Sequence, residues 1–464
     1  MGISLFEPVV SSYLAKWISI FVKMGGFEGW SRVERRMAAG LAKGKSPLRV
    51  LVIRASFAAL GGAERELLQL LRNVDKRWTV GLATLEMSNE AVELLGEAEV
   101  RMHQPSTPIQ WPEGSFAEVT ASASKAAEKA WKKMEIPFAS YDAVHISVCR
   151  GSLEVLPMIP EGIPVHYHCL EPPRWLYENV LHRRLDGTPK RPLWITKLLF
   201  SIQRRRDQMF VGRLIARPYA TLSGNSPWIQ RWISELYGVS SNPNKANGEP
   251  PQRDERHRLV EATHLMHVID PSMWPSQANK DEAVALENIP PLPNEYVVTV
   301  GRVGHVKGAW STVQSLRDTG LGLVQVGGGD EADKTELIQH GETLGVEVVC
   351  MPRLSHVALC ALVRGARAMV SHAHMEPFGL TPIEAMAVGT PALMVNEGGF
   401  ADTMAESNSG RLLPRGDLGA WKSAYLDAKD PVLRNAWAEA GRTYVETNFA
   451  LKVQIEALER LLSR

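Results

Sequence analysis

The sequence predicts an α/β protein made of two doubly wound parallel-sheet domains that face each other across a cleft. Short apolar runs alternate with helical patterns in both halves of the chain, which is typical of parallel sheets. At 464 residues the chain is too long for one ordinary core. Residues 271–293 are proline-rich with few apolar residues in register, and they separate the two alternating halves.

Composition restricts the class of function. The net charge of +1 gives no electrostatic case for nucleic acid, so we expect no nucleic-acid partner. No apolar run approaches the ~18 residues of a membrane span, which favours a cytoplasmic protein. The four cysteines form no CxxC pair and no metal-ligand spacing, which predicts free thiols in a reducing compartment.

Residues 1–46 form an N-terminal extension to the first domain. Residues 9–22 can form an amphipathic helix with aromatic and aliphatic side chains on one side. Two alternatives stay open for that side: packing against the protein's own body, which we favour, or lying on a membrane surface.

The first domain spans residues 47–275. Its first strand, residues 48–53 (LRVLVI), is apolar enough to be buried on both faces. The pair Gly61-Gly62 follows and precedes a helix, so a ligand could approach the backbone closely there, although a plain βα turn explains the pair equally well. Further strands are predicted at residues 78–82, 99–102, 144–148, 165–168 and 265–269, and a long helix at residues 117–133.

The strand at residues 165–168 ends in His166-Tyr167-His168. Alternation places the two histidines on one face, and a histidine at the carboxyl end of a strand is suited to a cleft. A buried, hydrogen-bonded histidine is the alternative, which we favour for His166 more than for His168. Glu171 and Arg174 come next, and they either pair with each other or line an acceptor site.

Two later segments of this domain are polar. Residues 182–213 interleave many cations with apolar residues, which suits anionic lipid headgroups or a pyrophosphate acceptor, although a solvated helix face is slightly favoured. The run Ser223-Gly224-Asn225-Ser226 follows a short strand and is predicted to cap a helix over residues 227–237. Residues 240–256 are poor in apolar residues and predict a mobile insertion.

A linker at residues 276–293 leads to the second domain, residues 294–430, and a helical tail, residues 431–464, which we expect to pack along a domain face. The strand at residues 296–300 ends in GRVGHVKG. Glycines on either side allow Arg302 and Lys307 to converge, and fixed cations are what a leaving diphosphate requires. Two solvated surface cations are the minor alternative.

The chain is organised around residues 371–399, SHAHMEPFGLTPIEAMAVGTPALMVNEGG, which read as strand, loop, helix and strand. Glu376 precedes the helix and Glu384 lies in its first turn. The unpaired backbone amides from Gly379 onward make an anion site, and carboxylates accept hydrogen bonds from hydroxyls. Together they suit a phosphorylated sugar or nucleotide. Thr381 to Glu384 also fits a capping box, which would give Glu384 a structural role.

In this order and spacing the motifs resemble the retaining nucleotide-sugar glycosyltransferases of family 4 (glycosyl transferases group 1), which have the GT-B fold. The resemblance rests on GGAER at residues 61–65, His168 with EPPRWLYE, Asn225-Ser226, GRVGHVKG, VGGGD, MEPFGLTPIEAMAVGTP and Gly398-Gly399. It departs from the family in three respects: the insertion at residues 240–256, two residues between His168 and Glu171, and Asp402 where a glutamate is frequent.

The resemblance implies that the second domain holds the nucleotide-sugar donor. Arg302 and Lys307 would hold the diphosphate, Glu376 the hydroxyls of the transferred sugar and Glu384 the ribose. Gly61, Gly62 and His168 would face the donor from the first domain. The remaining donor contacts implied by the motifs are Gly301, Phe378, Gly379, Leu380 and Thr381.

The function that we predict is transfer of a sugar to a glycan or lipid-linked acceptor with retention. The resemblance implies that the leaving phosphate helps to deprotonate the acceptor, so no separate protein base is required. No DxD pair occurs, so no metal or other cofactor is expected. Contact with an anionic membrane stays open.

Two other functions stay open. A nucleotide-sugar 2-epimerase on the same fold would need an acid/base pair near the sugar's C2, and no extra carboxylate cluster suggests one. A non-catalytic nucleotide-sugar-binding protein is disfavoured by the intact Glu376, Arg302 and Lys307.

Overall fold

A computed structural model describes residues 47–74, 78–114, 117, 120–287 and 289–462. The N-terminal extension with its predicted amphipathic helix lies outside the described residues. The strands are β1 Leu48–Ile53, β2 Ser56–Phe57, β3 Trp78–Ala83, β4 Glu86–Met87, β5 Val100–His103, β6 Ala143–Ser147, β7 Val165–Cys169, β8 Ala220–Gly224, β9 Ser240–Ser241, β10 Glu261–His264, β11 Tyr296–Val300, β12 Gly322–Val326, β13 Val348–Met351, β14 Met369–Ser371, β15 Ala392–Val395 and β16 Gly410–Leu413.

The helices alternate with these strands in both halves, as the apolar pattern predicts. They are α1 Gly62–Arg72, α2 Asn89–Leu95, α3 Ser122–Lys133, α4 Arg174–Tyr177, α5 Leu193–Leu199, α6 Ser201–Ile215, α7 Pro227–Tyr237, α8 Asp281–Leu286, α9 Ala309–Leu316, α10 Glu331–Leu344, α11 His356–Gly365, α12 Leu380–Val388, α13 Gly399–Met404, α14 Leu418–Asp427, α15 Pro431–Asn448 and α16 Leu451–Leu462.

Two parallel sheets form the cores of two domains. The first has the order β5-β3-β1-β6-β7-β8-β10-β9 and the second β13-β12-β11-β14-β15-β16. Strand order reverses between β1 and β6 in the first sheet and between β11 and β14 in the second. Ligands of such sheets bind outside the carboxyl ends of the strands at this reversal. The loops that carry Gly61, Arg302 and Glu376 follow β1, β11 and β14, so the predicted doubly wound fold is confirmed and its switch points hold the predicted motifs.

The predicted strand at residues 265–269 is wrong, because the chain forms β10 four residues earlier. Three of the four buried side chains of β10 are polar, and neighbouring segments supply their hydrogen-bond partners. Glu261 pairs with Lys245, the Thr263 hydroxyl donates to the Glu249 carbonyl at 2.6 Å, and His264 bonds Gln230 at 2.8 Å. A strand with satisfied polar residues lacks the apolar pattern that identifies buried strands.

Residues 240–256 do not extend into solvent as a mobile insertion. The Gly248 amide donates to the His264 carbonyl at 3.0 Å, and a Cβ on Gly248 would lie 2.5 Å from the Ala457 Cβ in α16. The Asn247 side-chain amide donates to the Gln454 side-chain oxygen at 2.8 Å. The segment is therefore packed between β10 and α16.

The stretch between the sheets is more ordered than a plain linker. It contains α8, whose Glu282 pairs with Arg364 of α11 at 2.6 Å. The long helix predicted from residue 117 begins at Ser122. None of the described helices is long and apolar enough to cross a membrane. All four cysteines, which lie in the described part of the chain, are free, as predicted.

The C-terminal helices divide between the two domains. The start of the tail, α15, packs on α12, where Gly441 approaches the Met386 side chain. The chain then crosses to the first domain, where Leu458, Leu461 and Leu462 of α16 join the core cluster of Val50 and Val52. The tail therefore ties the two domains together instead of packing along one face.

Candidate functional site

An ion pair between Lys307 and Glu376 lies at the carboxyl edge of the second sheet. The Lys307 Nζ is 2.8 Å from Oε2 and 3.0 Å from Oε1 of Glu376. The two residues come from loops after the neighbouring strands β11 and β14, which explains why side chains 69 positions apart meet. Both remain partly exposed, at 36% and 18% of their side-chain surface, so a ligand could reach them.

Glycines fix the position of Glu376. A Cβ on Gly398, whose φ is 59°, would lie 2.6 Å from the Glu376 carbonyl oxygen. A Cβ on Gly399 would lie 2.4 Å from the Pro377 carbonyl oxygen, and the Gly399 amide donates to the Glu376 carbonyl at 2.6 Å. The Gly398-Gly399 motif therefore acts through close backbone packing, which no residue with a side chain could reproduce.

Arginines from both domains hold the loop before Glu376. Arg415 donates to the His372 and Ala373 carbonyls at 2.6 and 3.1 Å and pairs with Glu397 at 2.6 Å. Arg174, from the first domain, donates to the His374 carbonyl at 2.7 Å. Through this contact across the cleft, Arg174 supports the loop before Glu376.

Arg302 is exposed and forms no hydrogen bond or ion pair with any described residue. Its loop folds tightly, because a Cβ on Gly327 would lie 2.4 Å from the Gly301 carbonyl oxygen. The guanidinium therefore projects from a fixed backbone and has its donors free for an anion.

The helix start after Glu376 differs from the predicted capping box. Helix α12 begins at Leu380, its N-cap is Gly379 with φ 93°, and no side chain caps it. The capping role of Glu384 is therefore wrong, because the left-handed glycine turns the chain without needing a side-chain partner. Gly379, Leu380 and Thr381 present the helix start, where the first amides have no acceptor within the helix.

Glu384 is half-buried and has no hydrogen-bond or ion-pair partner among the described residues. Burial raises the pKa of its carboxyl group to about 7. An unpaired carboxyl at such a depth suits a ligand hydroxyl. Phe378, by contrast, buries its ring against His267 and Phe449, at centroid distances of 4.7 and 5.9 Å, so only its backbone can face a donor.

The first domain faces this site through its glycine pair. A Cβ on Gly62 would lie 2.9 Å from the Leu380 Cδ1 of the second domain. The Gly61 amide already donates to the Glu64 carboxylate at 2.9 Å, which leaves Gly62 as the nearer of the two to the opposite wall.

Glu171 also lies across the cleft from the Lys307–Glu376 pair. Burial raises the pKa of its carboxyl group, Arg174 and Lys307 lower it, and Glu376 raises it further. The alternative that Glu171 pairs with Arg174 is wrong, because Arg174 pairs with Glu178 at 2.7 Å. Glu171 has no ion-pair partner among the described residues, so it is free to accept a hydrogen bond from a ligand.

His166 and His168 share one face, as the alternation predicts, with their rings stacked at 6.0 Å. His166 is buried and bonded to His145 and Ser223 at 3.0 and 2.7 Å. His168 is also buried, and its Nε2 donates to the Leu265 carbonyl at 3.0 Å. Burial lowers the pKa of His168 to about 4, so its ring is neutral. The donor-facing role of His168 stays a prediction.

The sequence did not predict the contacts that α7 makes with the second domain. Asp402 accepts a hydrogen bond from the Trp228 amide in the first turn of α7 and pairs with Arg231 at 3.3 Å. The Ser226 hydroxyl donates to the Pro377 carbonyl at 2.6 Å, and the Ile229 amide donates to that hydroxyl at 3.1 Å, as the predicted cap requires. The aspartate that departs from the family pattern therefore joins the two domains. No sequence signal marked Asp402 as an interdomain residue.

No group of three or more metal-binding side chains is arranged to hold a metal ion in the part of the chain that the structure describes.

Residues 286–444 match the profile of the family "Glycosyl transferases group 1". The match covers most of the second domain, in agreement with the resemblance of its motifs. Among curated proteins, the chain is 28% identical over 204 residues to a glycogen synthase of Mycobacterium tuberculosis, covering 41% of this chain and 45% of that protein. It is 29% identical over 224 residues to a D-inositol 3-phosphate glycosyltransferase of Mycolicibacterium smegmatis, covering 42% and 51%. The chain therefore spans about half the length of these relatives.

Solved structures match nearly the whole chain. Anabaena Alr3699/HepE, solved with UDP and glucose, superposes with a TM-score of 0.60 at 16% identity over 90% of this chain and 99% of that one. The glycosyltransferase WaaG superposes with a TM-score of 0.61 at 16% identity over 88% and 98%. At these identities the likeness establishes the fold, which is GT-B.

Proposed function

We propose that the protein is a glycosyltransferase that moves a sugar from a nucleotide-sugar to a glycan or lipid-linked acceptor with retention of anomeric configuration. The observation that carries the proposal is the partly exposed Lys307–Glu376 pair, together with the exposed Arg302 in the same loop as Lys307. In the reaction the bond between the sugar C1 and the diphosphate breaks, and the diphosphate takes the negative charge. Two fixed cations at that point stabilise the developing charge.

Each charged group has a separate task in this proposal. Arg302 and Lys307 bind the diphosphate, and the amides at the start of α12 add donors. Once Lys307 binds the phosphate, the Glu376 carboxylate accepts hydrogen bonds from the sugar hydroxyls. Glu384 accepts a hydrogen bond from the ribose. The acceptor oxygen forms its bond to C1 on the face that the phosphate leaves, and its proton passes to the leaving phosphate oxygen. No metal is required, because the two cations supply the charge.

The structural likeness to HepE, which was solved with UDP-glucose, supports a uridine diphosphate donor as the first to test. The acceptor is a glycan or a lipid-linked molecule, and Glu171 with Arg174 lies where it would approach the cleft. We further propose a cytoplasmic location, with peripheral contact at an anionic membrane face.

The test is thermal unfolding of the full chain with UDP-, GDP-, ADP- and TDP-sugars. A donor present at ~100 times its dissociation constant should add about 2.7 kcal/mol to the free energy of unfolding. If none of them raises the midpoint, the donor site is wrongly assigned. Arg302→Ala should abolish most of the shift, since Arg302 has no described partner and its loss leaves the fold intact. An undiminished shift in that variant would remove Arg302 from the diphosphate site.

A further inference from the structure

The segment of residues 182–213 is far more basic than the rest of the chain. It contains nine lysines and arginines, two aspartates and no glutamate, whereas the whole chain has a net charge of +1. Its surplus of seven positive charges therefore exceeds the charge of the complete protein. The segment forms α5 and α6, which follow one another with only Phe200 between them.

Large apolar side chains project from the same two helices. Trp194, Leu198 and Ile202 expose 68%, 66% and 50% of their surfaces and recur at every fourth position. We call these three residues the apolar ridge. Cations alone would suit a solvated helix face, but that explanation gives no reason for a tryptophan and two aliphatic residues at helical spacing in water.

Exposed cations surround the apolar ridge. Lys190, Arg191, Lys197 and Arg205 are exposed, and none of them has an ion-pair partner among the described residues. Asp186 is the one exposed acid in this segment, and its carboxylate is occupied by the Thr188 amide and hydroxyl at 2.8 Å. The surface thus combines apolar side chains with uncompensated positive charge, as surface-bound amphipathic helices do.

The ridge is fixed to the body of the protein and lies near the cleft. Phe200, between α5 and α6, is buried and packs on Trp175 and His182 at centroid distances of 5.0 and 5.6 Å. A cavity of about 260 Å³ lies beside it, lined in part by Tyr177, Lys197 and Arg204. The cavity also borders Glu178, which is the ion-pair partner of Arg174. Arg174 in turn donates to the His374 carbonyl in the loop before Glu376.

We propose that α5 and the first turn of α6 dock the protein onto an anionic phospholipid bilayer. The apolar ridge enters the interface between headgroups and acyl chains, and the surrounding cations contact the headgroups. The inference rests on the proposed function in one respect: among the acceptors left open, it selects the lipid-linked class, because docking presents the cavity beside the ridge to the bilayer.

The test is co-sedimentation of the full chain with vesicles of phosphatidylcholine alone and of phosphatidylcholine with phosphatidylglycerol. We expect binding to the anionic vesicles only, and loss of that binding in the triple variant Trp194→Ser, Leu198→Ser, Ile202→Ser. Lys190→Gln and Arg191→Gln should each weaken binding about fivefold, which corresponds to ~1 kcal/mol per cation. The matched control is Leu426→Ser with Val432→Ser, because those residues expose 67% and 78% of their surfaces outside this segment.

Three outcomes would overturn the inference. The first is equal sedimentation with both kinds of vesicle or with neither. The second is binding that survives in the triple variant, because another part of the chain then makes the contact. The third is a dimer in solution that the triple variant converts to a monomer, because the ridge would then be a contact between two copies of the chain.

The donor titration separates this inference from the proposed function. The triple variant should keep the thermal shift with a nucleotide-sugar, because the ridge touches none of the residues assigned to the donor. Intact donor binding without vesicle binding would refute the docking surface alone. Vesicle binding without any donor shift would refute the proposed function and leave the docking surface supported.

Discussion

At the scale of single residues, the Lys307–Glu376 pair sets the charge of the candidate site. A carboxylate at 2.8 Å neutralises the lysine, so an incoming diphosphate must compete with Glu376 for the Lys307 ammonium. In the proposed donor site this competition would couple the two halves of the donor, because binding of the diphosphate would release the carboxylate assigned to the sugar. Arg302, without a described partner, needs no such release.

Glu376→Ala should therefore separate binding from transfer. We expect the rate of transfer to fall by on the order of 10²–10³, as for loss of a group that contacts the transition state. Binding of the free nucleoside diphosphate should be unchanged or tighter, because Lys307 no longer has a carboxylate partner. Titration calorimetry and steady-state kinetics measure the two effects. Weaker diphosphate binding in a folded Glu376→Ala variant would contradict the assignment.

Glu384 makes stability depend on pH. Its carboxyl pKa rises from 4.5 in the unfolded chain to about 7 in the fold, because burial disfavours the charged form. Below pH 4.5 both states are protonated, and as the pH rises to about 7 the unfolded chain loses its proton first. The fold therefore loses stability across that window.

Glu384→Gln should remove this loss. The free energy of unfolding of the variant, minus that of the unaltered chain, should grow between pH 4.5 and about 7 and then level off. A gain on the order of 1–2 kcal/mol is expected, because the side chain is only half-buried and solvent screens part of the effect. Chemical unfolding at pH 4, 6 and 8 measures it. A stability difference that does not vary with pH would contradict the raised pKa of Glu384.

The residues of the site were predictable to different extents. Lys307 and Glu376 follow strands of one parallel sheet, and the carboxyl ends of such strands meet at one edge, so their proximity could be expected. The inward direction of the Phe378 ring could not, because the glycine turn that follows it sets which side of the loop enters the core. His168 lies at a strand end, as predicted, but its burial depends on the Leu265 carbonyl of a segment 97 residues away.

At the scale of elements, the first turns of α7 and α13 form a contact between the two domains. Asp402, in the first turn of α13, accepts a hydrogen bond from the Trp228 amide of α7, so one carboxylate satisfies an amide of the opposite domain. Burial raises its carboxyl pKa and Arg231 lowers it. The shorter acid is therefore part of the contact between the two domains.

Asp402→Ala should weaken closure without touching the donor. Loss of a helix cap costs ~1 kcal/mol, so we expect kcat to fall about fivefold while nucleoside diphosphate affinity stays constant. The matched control is Asp430→Ala, which removes a cap within the second domain, where Asp430 accepts from the Val432 and Leu433 amides at 2.7 and 3.1 Å. Asp430→Ala should lower the unfolding temperature and leave kcat unchanged. Equal kcat values for the two variants would contradict the interdomain role.

The strands and helices of the two sheets follow from the apolar pattern, and β1 and β11 begin and end where the pattern predicts. Strand β10 could not be predicted in this way. Its buried Glu261, Thr263 and His264 are stable because residues 245–249 and Gln230 supply partners, and a single strand's sequence does not contain that information. The same contacts explain why residues 240–256 pack on the domain.

At the scale of the whole molecule, two domains and a cleft could be expected from chain length and alternation, but the path of the tail could not. Its apolar positions fit the surface of either domain. The structure places α15 on the second domain and α16 on the first, and the Ile269 amide donates to the Phe449 carbonyl at 3.1 Å where the chain crosses. The two domains are thus connected twice by the chain.

Because α16 completes the first domain's core, a substitution there should weaken that domain and spare the donor site. Leu458 is 1% exposed, and Leu458→Ala should cost ~2–5 kcal/mol through the cavity that it leaves. Leu426→Ala, at a position 67% exposed in the second domain, is the control and should change stability little. Urea unfolding followed with and without a nucleoside diphosphate measures both effects. The ligand should stabilise the second domain equally in both variants, since its assigned contacts lie there. An equal loss of stability in the two variants, or loss of nucleotide binding in Leu458→Ala, would show that α16 does not act on the first domain in particular.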